Sequence, residues 1–274
     1  MLKFQVFPPK PSLSSFVSNF YFWEYQGNQW QSPPPVRVLP TGRVYMNFVQ
    51  WGMPFRTFNN TGEFPYHSEL INGTIGEDDI FLQIKKGGVL GIEFYSYGFS
   101  ALTGLKASDF TNKQFNTYDV LGNKFSFIHE KIRNVNHLQD KISLLEDWLE
   151  KFMVAGINRY PLLEEAIHII ERYKGAVLVK DICSATKLGE RTLEKKFNNW
   201  VGISPKQYIT YKKISSFLNC CLNNGHQPWN LHFDSRAFYD QAHFNKTFKK
   251  VTGLPPGEYL KKVNNTLAFH FVGR

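Results

Sequence analysis

The sequence predicts a two-domain α+β chain: a β-rich N-terminal domain, cupin-like or barrel-like and ending in a helical hairpin, then an all-α domain of two helix-turn-helix modules joined by a linker helix. Three observations predict it. The apolar pattern changes near Asp109 from alternation at period two to repeats of three and four residues. Two stretches, Leu193–Ile209 and Phe244–Leu260, repeat each other without a gap at an offset of 51 residues, which matches Phe197 to Phe248, Gly202 to Gly253, Pro205 to Pro256 and Tyr208 to Tyr259. Finally, residues 1–155 carry 14 Lys+Arg against 14 Asp+Glu, so the remaining 18 and 9 of the chain's 32 and 23, and with them the whole net charge of +9, lie in the part that holds the repeat. A localised basic surplus on helical modules favours a polyanionic partner.

The β-rich reading rests on short runs of β-branched and aromatic residues, Arg37–Leu39, Arg43–Val49 and Gly88–Tyr97, separated by the turn formers Pro33–Pro35, Asn59–Gly62 and Asn72–Gly73. In Val44–Val49 the residues Val44, Met46 and Phe48 share one face, which suits a strand packed on one side against a core. The aromatics Phe22, Trp23, Trp51 and Tyr95 read as core in preference to a ligand cage. Next come two apolar stripes, Phe125, Ile128, Ile132, Val135 and Leu138, Ile142, Leu145, Leu149, Phe152. They predict two antiparallel helices joined near Asn136, packed on the β-domain or on a second copy of the chain. Gly156 and Pro161 mark the boundary, since Gly ends a helix and Pro tolerates the first turn of the next. The domains are therefore placed at 1–155 and 156–265, with a tail at 266–274. Helices are expected near 161–173, 179–186, 190–200, 205–223, 229–236, 240–251 and 256–262.

No nucleophile elbow, phosphate loop, Cys/His pair or metal cluster occurs, so no enzyme, no catalytic residue, no cofactor and no metal site are predicted. A single histidine, His67, lies in the β-region. Cys183, Cys220 and Cys221 make no CxxC pair, and Met1–Pro8 has no signal-peptide pattern. The window Gly87–Leu105 is too polar and too rich in glycine for a membrane span. A reducing cytoplasm is the expected compartment.

In the first module a helix with Ile182 and Ala185 reaches a turn at Lys187–Gly189, and a second helix starts with Leu193 and Phe197 inward. That leaves Arg191, Glu194, Lys195 and Asn198 outward. An Arg can bridge guanine O6 and N7, Glu can accept from cytosine N4, and Lys can serve guanine or phosphate. In the second module Trp229–Arg236 would be the supporting helix, Asp240 the N-cap, and Phe244 and Phe248 the buried face. Gln241, Ala242, Asn245 and Lys246 point outward; the amides can pair with adenine, and the Ala242 methyl can touch that of thymine. His243 reads as a packed or phosphate-contacting residue in preference to a metal ligand. The expected partner is double-stranded DNA.

These motifs, Leu193-x3-Phe197-x4-Gly202-Ile-Ser-Pro205-x2-Tyr208 and Phe238-Tyr-Asp-Gln-Ala-His-Phe244-x3-Phe248-Lys-x3-Gly253-Leu-Pro-Pro256-x2-Tyr259, resemble the AraC/XylS family of transcription regulators over roughly residues 160–262. The resemblance implies a seven-helix domain whose linker helix, here about Pro205–Asn223, holds two recognition helices in successive major-groove segments. Carried over by position, Arg191, Glu194 and Lys195 would read one segment, and Gln241, Ala242, Asn245 and Lys246 the other. The chain departs from the pattern at Gly189, where the family usually has Ser, at Ala237, which replaces a turn glycine, and at His232 and Phe233. Val38–Val44 and Gly91–Phe94 resemble the β-rich sensor-like domains that precede this unit in many bacterial regulators, especially Bacteroidetes-type ones. That implies an effector pocket with an unidentified ligand. A small-molecule effector and RNA polymerase are further candidate partners, and a homodimer is a candidate assembly. Two alternatives stay open: a nonspecific architectural nucleic-acid-binding protein, and a regulator whose N-terminal domain serves only oligomerisation.

Overall fold

The computed structural model describes residues 2–27, 33–76, 78–154, 156–157, 160–223, 238 and 240–262. Strands β1 (Leu2–Phe7), β2 (Val17–Tyr25), β4 (Val44–Gly52), β7 (Glu69–Asn72), β9 (Gly87–Phe94) and β10 (Gln114–Asn116) form one sheet, in the order β1-β2-β9-β4-β7-β10. A second sheet has the order β3-β8-β5-β6, from β3 (Val36–Arg37), β5 (Phe55–Asn59), β6 (Gly62–Glu63) and β8 (Phe81–Ile84). All the strand pairs are antiparallel.

Strand β9 is buried along its whole length between β2 and β4. Its register puts Gly91 opposite both Tyr21 and Asn47. A Cβ at Gly91 would lie 2.1 Å from the Tyr21 ring. Only a glycine there lets Tyr21 lie across the middle strand and donate its hydroxyl to Asn47 Oδ1 at 2.6 Å. The predicted strand Gly88–Tyr97 ends earlier, at Phe94, because the Tyr95 N–H turns away to Phe16 O (2.8 Å) and helix α1 (Gly98–Thr103) begins at once. Likewise Val38 and Leu39 leave the strand after Arg37 and line a cavity between the two sheets.

A 3-10 turn (Ala107–Asp109) and α2 (Thr117–Leu121) lead to the predicted hairpin, α3 (Asn123–Asn134) and α4 (Leu138–Val154). Its apolar stripes are used within the chain. Phe125 stacks on Phe48 of β4 at 6.0 Å, and Trp148 fits between Phe125 (6.0 Å) and Phe152 (5.2 Å) while donating its Nε1–H to Lys124 O at 2.7 Å. With Ile128, Ile132, Ile142, Leu145 and Leu149 also buried, the hairpin packs on its own β-domain. Most of the stripe is thus covered within the chain. Val135 does not continue the α3 stripe; it is the extended residue that ends the helix.

Helix α4 ends at Val154, Gly156 has φ 112°, and Pro161 opens α5 (Pro161–Arg172). There follow α6 (Val179–Thr186), α7 (Glu190–Trp200), α8 (Pro205–Asn223), α9 (Gln241–Thr252) and α10 (Pro256–Lys262). In α6 it is Ile182 and Thr186 that face the core, whereas Ala185 is exposed. The expected helix 229–236 with His232 and Phe233, the turn residue Ala237 and the tail 266–274 lie outside the described residues. Among the described residues no helix is long and apolar enough to cross a membrane.

Candidate nucleic-acid interface

Each repeat copy builds the same local frame. In the first, Leu193 and Phe197 of α7 are buried and Phe197 meets Tyr208 of α8 at 5.9 Å. In the second, Phe244 and Phe248 of α9 are buried and Phe248 meets Tyr259 of α10 at 5.5 Å. Gly202 (φ 86°) and Gly253 (φ 83°) close α7 and α9 in the left-handed region, where a Cβ would be strained. The next helix starts on Pro205 or Pro256, at a position that needs no N–H donor. Helix α8 belongs to both cores, with Tyr208 against Phe197 and, nine residues on, Phe217 within 4.7 Å of Phe244 and 5.6 Å of Phe248.

With those residues inward, Arg191, Glu194, Lys195 and Asn198 of α7 and Gln241, Ala242 and Lys246 of α9 are exposed. Asn245 differs from them. It is half-buried, and its Oδ1 is buried with no hydrogen-bond partner among the described residues. Asp240 caps α9 as expected, accepting from the His243 N–H at 2.6 Å, while the Gly189 N-cap of α7 supplies no side-chain bond. His243 is exposed, its ring 6.1 Å from that of Phe238.

The corner after α7 rests on the β-domain. Thr74 Oγ1 donates to Val201 O (2.9 Å), Thr111 Oγ1 to Gly202 O (2.7 Å) and the Tyr211 hydroxyl to Gly76 O (2.6 Å). The Tyr208 hydroxyl joins Ser96 of the β-domain to Glu171 of α5, and Glu171 also holds Lys212 at 2.6 Å. Gly42 packs on the Tyr208 ring, close enough that a Cβ would lie 2.6 Å from it. The equivalent corner of the second module meets Arg37, whose Nη1 would be 3.1 Å from a Cβ on Gly253; Arg37 also pairs with Asp79.

Comparison with known proteins agrees with this layout. Residues 182–262 match a helix-turn-helix domain family, and residues 5–116 match a domain of unknown function, DUF6597. An uncharacterized HTH-type transcriptional regulator of Bacillus subtilis (strain 168), YisR, is 23% identical over 115 residues, which are 42% of this chain and 40% of the relative. The match thus spans about two-fifths of that relative's length. The C-terminal part of the chain thus carries a helix-turn-helix domain. The fold of the chain is also similar to that of ToxT from Vibrio cholerae: 13% identity and TM-score 0.50 for one crystal form, covering 96% of this chain and 99% of that one. For ToxT from strain SCE256 bound to an unsaturated fatty acid the values are 11% and 0.51, covering 97% and 96%.

The β-domain encloses a cavity of about 110 Å3 between its two sheets, with Tyr21, Trp23, Leu39, Phe55, Ile75 and Leu82 among the apolar walls. Trp23, read from the sequence as core, is both buried and part of this wall. Arg43 also lines it, but its charge is matched: Nη1 lies 3.0 Å from Glu93 Oε1 and donates to Ser18 Oγ at 2.6 Å. Two segments of the wall also touch the helix-turn-helix domain. Thr41 and Arg43 face the cavity, with Gly42 on Tyr208 between them. Gly73, Ile75 and Ile80 face it too, while Thr74 and Gly76 bond Val201 and Tyr211, and Asp79 holds Arg37. Sequence reasoning missed the Arg43–Glu93 pair, although two charged residues inside otherwise apolar strands were the available signal.

Proposed function

We propose that the chain reads an asymmetric DNA site, with α7 and α9 in successive major-groove segments about one helical turn (~34 Å) apart. Arg191, Glu194, Lys195 and Asn198 face one segment; Gln241, Ala242, Asn245 and Lys246 face the other. The observation that carries this reading is the duplicated frame: equal buried pairs, equal left-handed glycines, and exposed polar faces of different chemistry. Because the two faces differ, one chain needs no palindrome. RNA polymerase is the partner through which DNA binding would change transcription in the reducing cytoplasm.

The cavity supports an effector reading over an oligomerisation role alone. Its walls are mostly apolar and its one buried cation is already neutralised, so the ligand class is a small apolar molecule with an uncharged hydrogen-bonding group for Tyr21, Thr41, Tyr45 or Asn47. ToxT bound to an unsaturated fatty acid is one of the similar folds, which makes lipids a reasonable first screen. A ligand displacing residues 41–43 or 73–80 would pull on Tyr208, Val201 and Tyr211 through the alternating contacts.

Footprinting on genomic fragments tests the DNA reading. Arg191→Ala or Gln241→Ala should weaken the preferred site by about 1–3 kcal/mol and leave nonspecific binding nearly unchanged. Equal losses on all sequences would assign those residues to phosphate, and affinity that depends on salt but not on sequence would favour the nonspecific alternative.

A further inference from the structure

A second cavity, about 320 Å3, lies between the α3–α4 hairpin and strands β4 and β7, remote in the sequence from both reading helices. Gln50, Glu69, His129, Arg133 and Lys141 make its polar wall. Their charges do not cancel. Glu69 is already engaged, accepting from Ser68 Oγ at 2.5 Å and lying 3.0 Å from His129 Nδ1 and 3.7 Å from Arg133 Nη2. Lys141 is half-buried, and its Nζ donates to an amide oxygen, Gln50 Oε1, at 2.6 Å. That amide is pinned in turn, because Gln50 Nε2 donates to Phe48 O at 2.9 Å. Among the described residues no carboxylate pairs with Lys141. Burial lowers its ammonium below the ordinary value, with no acid acting against the shift. A partly desolvated cation beside open space is an unfavourable arrangement until an anion fills that space.

We propose that this cavity binds a small molecule through one carboxylate or phosphate group held between Lys141 of α4 and Arg133 of α3. Gln50 fixes the ammonium, and Arg133 supplies a planar fork of donors suited to two oxygens. Arg133 and Lys141 against Glu69 leave a surplus of positive charge, which suits a single anionic group. The bound group would tie both helices of the hairpin to β4 and so stiffen the domain where Phe125 rests on Phe48. This proposal is independent of the DNA reading.

The test is thermal unfolding of the full chain with sodium phosphate, sodium succinate or sodium chloride at matched ionic strength. Phosphate or succinate should raise Tm in a saturable way, by about 3–5 °C at roughly ten times Kd, and chloride should not. The salt that saturates at the lower concentration identifies the group. Lys141→Met, which keeps the aliphatic stem, should abolish the saturable rise, and without added anion it should be at least as stable as the parent because an uncompensated charge is gone. Arg133→Gln should weaken binding about tenfold with little change in basal Tm. The proposal fails if no anion outperforms chloride, if the rise survives Lys141→Met, as a response from the basic reading helices would, or if Lys141→Met alone lowers Tm, which would make Lys141 a structural partner of Gln50.

Discussion

Gly202 and Gly253 occupy equivalent positions of the repeat but do not have equivalent neighbours, and replacing each by Ala measures the difference. Both sit at positive φ, 86° and 83°, where an L-residue costs about 1–2 kcal/mol. At Gly253 the nearest atom to the new Cβ is Arg37 Nη1 at 3.1 Å, the far end of a flexible side chain that can swing away. Gly253→Ala should therefore lose little beyond the backbone cost. At Gly202 the new Cβ would lie 2.6 Å from Thr111 Oγ1, 3.2 Å from Ala107 O and 3.3 Å from Thr74 Cβ. Thr111 must then give up its 2.7 Å hydrogen bond to Gly202 O, worth about 0.5–1.5 kcal/mol, and the backbone of the 107–111 turn must shift. The expected loss at Gly202 is about 2–4 kcal/mol. Urea unfolding of the full chain reads both losses from the change in midpoint at constant slope. Adding Thr111→Ala removes the closest clash, so the double variant should lose less than the sum of its two single losses. Equal losses for the two glycine variants, or strict additivity with Thr111→Ala, would refute the docking of the first module on the β-domain.

Two more outcomes follow from the same geometry. Gly189 caps α7 at φ −66° with nothing within 4 Å of a built Cβ, so Gly189→Ser should fit without strain. It should add about 0.5–1 kcal/mol, partly from the cap and partly from a less flexible unfolded chain, measurable as a higher urea midpoint with unchanged DNA preference. The Glu171 carboxyl feels burial, which alone would raise its pKa, but the Lys212 ammonium and the Tyr208 hydroxyl outweigh burial and hold it below the usual carboxylate range. Its contribution is therefore present above the unfolded value, about 4.3, and is lost as pH falls through the lower folded value. Glu171→Gln should be less stable than the parent at pH 7, and the gap should narrow below about pH 4.5; a gap that stays constant with pH would remove Glu171 from the interface.

What the sequence made legible divides by contact range. The C-terminal helices could be placed because their signals are local: Leu193 and Phe197 at four-residue spacing, Asp240 before α9, and Gly-x-x-Pro closing each module. The eight reader positions followed from helical geometry once the buried pairs were known, and seven of them are exposed. Asn245 is the exception, since nothing local says that its carboxamide oxygen would be covered. The hairpin stripes were legible as stripes, yet a stripe does not name what covers it; Phe48, 77 residues before Phe125, settles that and could not be paired with it from pattern alone. The same limit hid the contacts between the β-domain and the helix-turn-helix domain. Thr74 meets Val201 across 127 residues and Gly76 meets Tyr211 across 135, through a hydroxyl and a carbonyl with no compositional signature. Alternation along 41–43 and 73–76 is nonetheless a pattern of period two, the one by which Val44, Met46 and Phe48 were assigned to a core face. Here the two faces of a short extended segment serve two masters, a cavity on one side and a DNA-binding domain on the other. A ligand that displaced the inner face of residues 41–43 or 73–76 would disturb the outer contacts of Gly42, Thr74 and Gly76 as well, which is the geometric basis for the proposed coupling between the cavity and α7.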